Sequence, residues 1–407
     1  ETAPWFRHIA WELGGFIPLA RDKTSLSAVA LMANFWTSFA FLAAALVIQT
    51  SVGETAQYED EGRQFSITWE DMADMPVKTS DGSASTVGDK IYVIGGCDAE
   101  LGNEWDGQYH TCVDLATHVL IYDVKGNSWT MGANMPEPVY RHAAAVVGED
   151  IYIVGGRGLQ EAIMKKVYKY STAQNAWSVV IETFPFATSD NAAYSHGGKV
   201  VTCGGYNVDY SVTERRCWSM DPTSALPAFS VVEGLVGERG DFRMVASETT
   251  AYAYGGFNGK AEVQDTMEAL DLTKPDATWG IGYNGRMRRA RGDFAAALLH
   301  DRVFAIGGEM DGEIMADVEV FSIQALRWLS EDKIQPLPHQ VFRFMGAVHG
   351  DAIYIFGGQR PLDTSCNCYP TTSRTFRYLE EVDGVMAGGA MRASFGTACL
   401  VVLSLLF

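Results

Sequence analysis

Several common functional devices are missing from this 407-residue chain. No Cys-x-x-Cys pair occurs, and His110, the one histidine beside a cysteine (Cys112), has no companion at metal-ligand spacing, so no metal site is expected. No glycine-rich loop runs into a Lys-Ser/Thr helix start, and the string GIGYNG (280–285) lies in a loop after Trp279, so no nucleotide or other cofactor is expected. Asn-x-Ser/Thr is absent, which leaves the exposed faces without a glycosylation mark. Positive charge is scarce: 31 basic against 50 acidic residues give a net charge of −19. With no basic stripe, nucleic acid is excluded as a partner.

Long apolar runs are confined to the two ends. Leu26–Ile48 carries 23 residues without a charge, enough to cross a bilayer. Arg21 and Lys23 precede it and an acidic stretch follows, which places the rest of the chain outside the cytosol. The chain begins at Glu1, and a start at Met32 would make the same run a signal peptide cleaved near Ser51–Glu54. Either way the body is expected in the secretory pathway, on the lumenal or extracellular side. The tail GVMAGGAMRASFGTACLVVLSLLF has the order of a lipid-anchor signal, although Arg392 interrupts it as a span. The expected division is an N-terminal segment (1–24), a transmembrane helix or signal peptide (25–50), an acidic linker (51–64), a body (65–382) and a hydrophobic tail (383–407).

The body repeats. IYVIGG (91–96), IYIVGG (151–156), VVTCGG (200–205), AYAYGG (251–256), VFAIGG (303–308) and IYIFGG (353–358) end in glycine pairs spaced 60, 49, 51, 52 and 50 residues apart. Such runs read as strands buried on both faces. Polar loops follow, then further strands, and in four units a tryptophan: Trp129, Trp177, Trp279 and Trp328. This pattern resembles the kelch repeat, specifically a six-bladed β-propeller over residues 65–382, an all-β fold with four-stranded antiparallel blades. The third unit has Trp218 too early, and the sixth has no tryptophan. The orphan SITWEDMADMP (66–76) is therefore expected to supply, through Ile67–Glu70, the fourth strand of the last blade and close the ring. RGDF occurs twice, at Arg239–Phe242 and Arg291–Phe294, at the same offset from the following glycine pair, so the repeat accounts for both copies without an adhesion signal.

Fourteen residues before the glycine pairs stand Asp81, Arg141, Asp190, Asp241, Asp293 and Arg343, all charged. Propeller symmetry places them on one circle at the central mouth. Arginines at the corresponding place in kelch substrate adaptors grip acidic peptides; Arg141 and Arg343 match that pattern, and the four aspartates do not. The ring suits a zwitterionic or hydroxyl-rich ligand, or it is self-paired and structural. A second contact surface is the loop 97–112, with Trp105 and Tyr109 as aromatic anchors.

Comparable placement in two blades suggests disulfides Cys97–Cys112 and Cys203–Cys217, with Cys366–Cys368 a third pair or bonded elsewhere among 15 connectivities. Some kelch-type propellers are copper radical oxidases or a sialic acid mutarotase. The oxidases need two histidines, two tyrosines and a cysteine–tyrosine crosslink; the histidines here are scattered and no body cysteine is left over. The expectation is a membrane-attached module that binds a protein or glycan partner, with no assembled catalytic residues. The alternative is a carbohydrate-directed enzyme.

Overall fold

Each apolar run that ends in a glycine pair forms the second strand of a four-stranded antiparallel sheet in the computed structural model, which describes residues 56–60, 63–98, 104–105, 110–112, 114–329, 334–382 and 385–386. Blade 1 comprises Ser83–Val87, Lys90–Ile94, Val119–Asp123 and Ser128–Met131. Blade 2 comprises Ala143–Val147, Asp150–Val154, Val167–Ser171 and Ala176–Ile181. Blade 3 comprises Ala192–His196, Lys199–Cys203, Cys217–Met220 and Phe229–Val232. Blade 4 comprises Arg243–Ala246, Thr250–Tyr254, Thr266–Asp271 and Gly280–Arg286. Blade 5 comprises Ala295–Leu299, Arg302–Met310, Glu313–Ser322 and Arg327–Trp328. Blade 6 takes Met345–His349, Ala352–Phe356 and Thr375–Val382 from the end of the body and Arg63–Asp71 from its start.

The first strands touch one another in sequence, and that of blade 6 returns to that of blade 1, so the six sheets surround an axis. Second strands are largely apolar because a neighbouring blade covers each of their faces; Thr202 in blade 3, a polar residue within such a run, is buried and accepts from Asn191 at 2.8 Å. Ile91 and Val93 of blade 1, for example, pack in one cluster with Tyr354 and Phe356 of blade 6.

The glycine pairs are fixed by the blade-to-blade joint. In all six blades the N–H of the second glycine donates to a carbonyl of the next blade, from Gly96 to Val139 at 2.8 Å round to Gly358 to Thr79 at 2.9 Å. Both glycines have positive φ, and a Cβ on Gly204 or Gly255 would lie 2.6 or 2.7 Å from the next blade's carbonyl oxygen.

Trp129 and Trp177 lie on the fourth strands and donate Nε1–H to the carbonyls of Ala73 and Ala133, both at 2.8 Å, in the turn preceding their own blade. Trp69, on the N-terminal closing strand, makes the same bond to Gln335 at 3.4 Å and stacks edge-on against Tyr378. It is the tryptophan that blade 6 lacks. In blade 3 the equivalent place is held by Phe229, opposite Met220, while Trp218 is buried on the third strand against Phe184 and Phe186.

The expected segment closes the ring, with Ile67 paired to Glu380 and Glu70 to Arg377. Ion pairs Arg377–Glu70 and Arg374–Asp71 clamp the joint. Two further strands extend this sheet, Ala56–Asp60 on Arg63–Asp71 and Val385–Met386 on Thr375–Val382; the first of them lies within the stretch read as an acidic linker. The apolar runs at both ends lie outside the described residues. Among the described residues no helix is long and apolar enough to cross a membrane.

Candidate functional site

The chain enters each first strand through one residue in the left-handed region, and that residue is the charged one. Asp81, Arg141, Asp190, Asp241, Asp293 and Arg343 have φ between 52° and 57°. Aspartate tolerates this conformation better than most side chains, since its short carboxylate bonds locally; arginine has no such help and carries a cost of about 1–2 kcal/mol.

The conformation turns each backbone towards the previous blade. The six N–H groups donate to the six carbonyls in one closed circuit: Asp81 to Arg343 (2.8 Å), Arg141 to Asp81 (2.7 Å), Asp190 to Arg141 (2.9 Å), Asp241 to Asp190 (3.0 Å), Asp293 to Asp241 (3.2 Å) and Arg343 to Asp293 (2.8 Å). The structure thus brings all six sequence candidates together, as a hydrogen-bonded ring around the axis. Beyond it five of the first strands carry a small residue, Ala84, Ala144, Ala193, Ala296 or Gly346, and blade 4 carries Arg243 and Met244; together with the ring they line a cavity of about 180 Å³.

The side chains divide unequally. Arg141 Nε lies 3.3 Å from Asp81 and 3.6 Å from Asp190, and Arg343 Nε lies 2.9 Å from Asp293 and 3.8 Å from Asp81. The two guanidiniums therefore serve three carboxylates. Asp241, opposite Asp81 and flanked by Asp190 and Asp293, is the fourth. Burial, then the Asp190 and Asp293 charges, push its carboxyl well above the ordinary value. Burial also raises Asp293, but Arg343 and Arg141 outweigh it and hold that carboxyl below its usual range. Two buried polar atoms of the ring, Asp190 Oδ2 and Arg343 Nη1, have no hydrogen-bond partner in the protein.

Sequence reasoning missed a second tier. The residue just after each glycine pair forms a bridge with the residue just before the ring position, as in Tyr140–Arg157, Ser189–Tyr206 and Gly292–Glu309. The loops between second and third strands therefore rise at the same end of the blades as the charged ring. From this tier the Tyr206 phenol is held protonated by burial and then by the carboxylates of Asp241, Asp190 and Asp293. Burial, then Asp293, push Glu309 up to about 7. Arg157 is fully buried, bonds Val208 and Asn207 of the blade 3 loop, and lies 3.9 Å over the Tyr210 ring. Tyr210 in turn accepts a hydrogen bond from Arg141 Nη1 at 2.7 Å. His142 donates or accepts with Ser83 at 2.8 Å, and burial lowers its imidazole to about 4, so it is neutral. The fixed offset from the glycine pairs could have found this tier as it found the ring.

The RGD triplets are resolved residue by residue. Arg239 is buried on Glu268 at 2.8 Å and donates to the Gly255 carbonyl; Arg291 is buried on Glu319 at 2.6 Å and donates to the Gly307 carbonyl. Gly240 and Gly292 lie under the rings of Tyr206 and Phe257 from the preceding blades, where a Cβ would come within 2.1 Å of a ring carbon. Asp241 and Asp293 belong to the axial circuit. Neither triplet is available for display.

Of the loop candidates, Trp105 lies on a two-residue strand, Glu104–Trp105, paired with His110–Thr111; Tyr109 lies outside the described residues. The structure bonds Cys97 to Cys112, Cys203 to Cys217 and Cys366 to Cys368. Among the described residues no group of three or more histidine, cysteine or carboxylate side chains is placed to hold a metal.

Comparison with known proteins bears on this architecture. Residues 142–358 match a family model described as the KLHDC2/KLHL20/DRC7 Kelch-repeats domain, and residues 78–136 match the Kelch motif. Kelch-like protein 25 of Xenopus tropicalis is 22% identical over 259 residues, covering 61% of this chain and 42% of that protein. Kelch-like protein terF of Aspergillus terreus is 24% identical over 296 residues, covering 68% and 59%. The chain thus spans about half the length of these curated relatives. The solved structure of YjhT superposes with a TM-score of 0.60 at 15% identity, covering 74% of this chain and 95% of that one. Its likeness is one of fold. With six glycine-paired second strands, one inter-blade joint repeated six times and a family match over more than half its length, the chain belongs to the kelch-repeat family and its body is a six-bladed kelch propeller.

Proposed function

We propose that this propeller is a protein-binding module that takes a side chain of its partner at the charged axial mouth. Kelch-repeat relatives support an interaction role. The observation that carries the finer reading is the uneven ring: its guanidiniums are occupied by Asp81, Asp190 and Asp293, while Asp241 faces the cavity between two like charges. A cationic partner group relieves that crowding and displaces the Asp241 proton, so the mouth favours a basic side chain over an acidic one. The loops at the same end supply the surrounding contact area.

The module is further proposed to work on the lumenal or extracellular side of a membrane, attached through one or both apolar ends. The charge-free run Leu26–Ile48 and an even number of cysteines in the body support that placement.

The experiment compares capture of partner proteins by the full chain and by Asp241→Asn, which keeps the neutral shape of the protonated carboxyl. Loss of a partner with an unchanged thermal melt supports the mouth. Equal capture moves the contact to the loops, including 97–112.

A further inference from the structure

Two of the three disulfides do structural work that their positions explain. Cys203 and Cys217 face each other across paired strands of blade 3 and are buried in its core, and Cys97 is buried beside the axial tier. Their bonds close loops with sequence separations of 14 and 15. Cys366–Cys368 differs in each respect. It lies in the loop between Ala352–Phe356 and Thr375–Val382, and a single residue, Asn367, separates its ends. Closing so short a loop removes little freedom from the unfolded chain.

Nor does the turn need the bond. Asp363 and Cys368 exchange backbone hydrogen bonds at 2.8 and 3.3 Å, and the Asp363 carboxylate accepts from Ser365 N–H at 2.8 Å and from Ser365 Oγ at 2.6 Å. Arg360 N–H bonds the Pro370 carbonyl at 2.9 Å, and Phe342 packs on Tyr369, fixing the loop base. Asn367 takes φ of 53°, a conformation asparagine tolerates. The result is an asymmetric pair: Cys366 is exposed and Cys368 is buried.

We infer that Cys366–Cys368 is a redox-active disulfide that oxidises dithiols in other proteins by thiol–disulfide exchange. A client thiolate attacks the exposed Cys366 Sγ, forming a mixed disulfide; the Cys366–Cys368 bond breaks, and its electron pair leaves with Cys368, which takes a proton from solvent. The client's second thiolate then attacks its own sulfur in the mixed disulfide and releases Cys366, which is protonated in turn. Two electrons and two protons pass from client to propeller for each client disulfide formed. A small-molecule disulfide of the glutathione type restores the pair by the same exchange in reverse. In the reduced form the Asp363 carbonyl, 3.6 Å from Cys366 Sγ, is placed to accept the thiol proton. This activity does not depend on the axial mouth.

The test equilibrates the full chain with glutathione redox buffers, traps thiols by alkylation and reads each cysteine pair by mass spectrometry. Cys366–Cys368 is expected to open at a reduced-to-oxidised ratio at least about tenfold lower than Cys203–Cys217, with the fold intact. In parallel, a reduced synthetic peptide with two cysteines is oxidised in the presence of wild type or the Cys366→Ser/Cys368→Ser variant. Faster oxidation by wild type, with equal thermal melts, supports the proposal. Opening of the pair only together with Cys203–Cys217, or equal oxidation rates with and without the two cysteines, overturns it.

Discussion

Arg291 is buried because Glu319 waits for it on the third strand of the same blade, and Glu319 also accepts the N–H groups of Arg288 and Arg289 at 2.7 and 3.0 Å. Replacing Glu319 with Ala leaves the buried guanidinium with Asp317, at 2.6 Å, as its remaining carboxylate and strands the two N–H donors, and is expected to cost about 2–4 kcal/mol in urea unfolding. A second residue sets a pH dependence. Folded Glu309 keeps its proton up to about 7, against 4.5 for an ordinary glutamate. Between those values the folded state binds more protons than the unfolded one, so this group's contribution makes stability fall as pH rises. Glu309→Gln should flatten that fall and stabilise the protein at the alkaline end of the window, as read from urea midpoints across it.

Among elements, the joint between a glycine pair and the next blade's carbonyl is the least forgiving. Gly256 has φ of 84°, and a Cβ there would lie 2.6 Å from that of Phe242, whereas Gly88, with φ of 58°, has open space around it. Gly256→Ala is expected to cost at least ~2 kcal/mol, Gly88→Ala about 1 kcal/mol, by thermal unfolding of the two variants side by side. The strand-to-strand disulfide Cys203–Cys217 closes a loop for which the chain-entropy account gives about 3 kcal/mol. Its double serine variant should melt well below wild type; that of Cys366–Cys368 should not.

For the whole molecule, stability rests on joining chain positions that are over 300 residues apart, as between Glu70 and Arg377. Trp69 carries much of that closure through Tyr378 and the Gln335 carbonyl. Trp69→Ala is expected to cost roughly 2–3 kcal/mol, slightly less than a fully buried aromatic, and to expose the third strand of blade 6 as an open edge. Increased association on gel filtration near the melting temperature is the accompanying readout.

The sequence by itself determined the blade count, the strand that closes the ring and the six positions that meet at the axis, because each follows from a period and a periodic chain returns equivalent residues to equivalent places. It also exposed RGDF as a repeat feature. What only the tertiary structure decided is what those positions do. No spacing reveals that all six ring residues take the left-handed conformation, that their backbones close a hydrogen-bonded circuit, or that the two arginines make their close ion pairs with Asp81, Asp190 and Asp293. The carriers of Arg157, Tyr206 and Glu309 looked like ordinary loop starts, and Phe229 hid in place of a tryptophan. Such outcomes depend on which side chains converge from different blades, and convergence is a property of the closed ring that no single repeat contains.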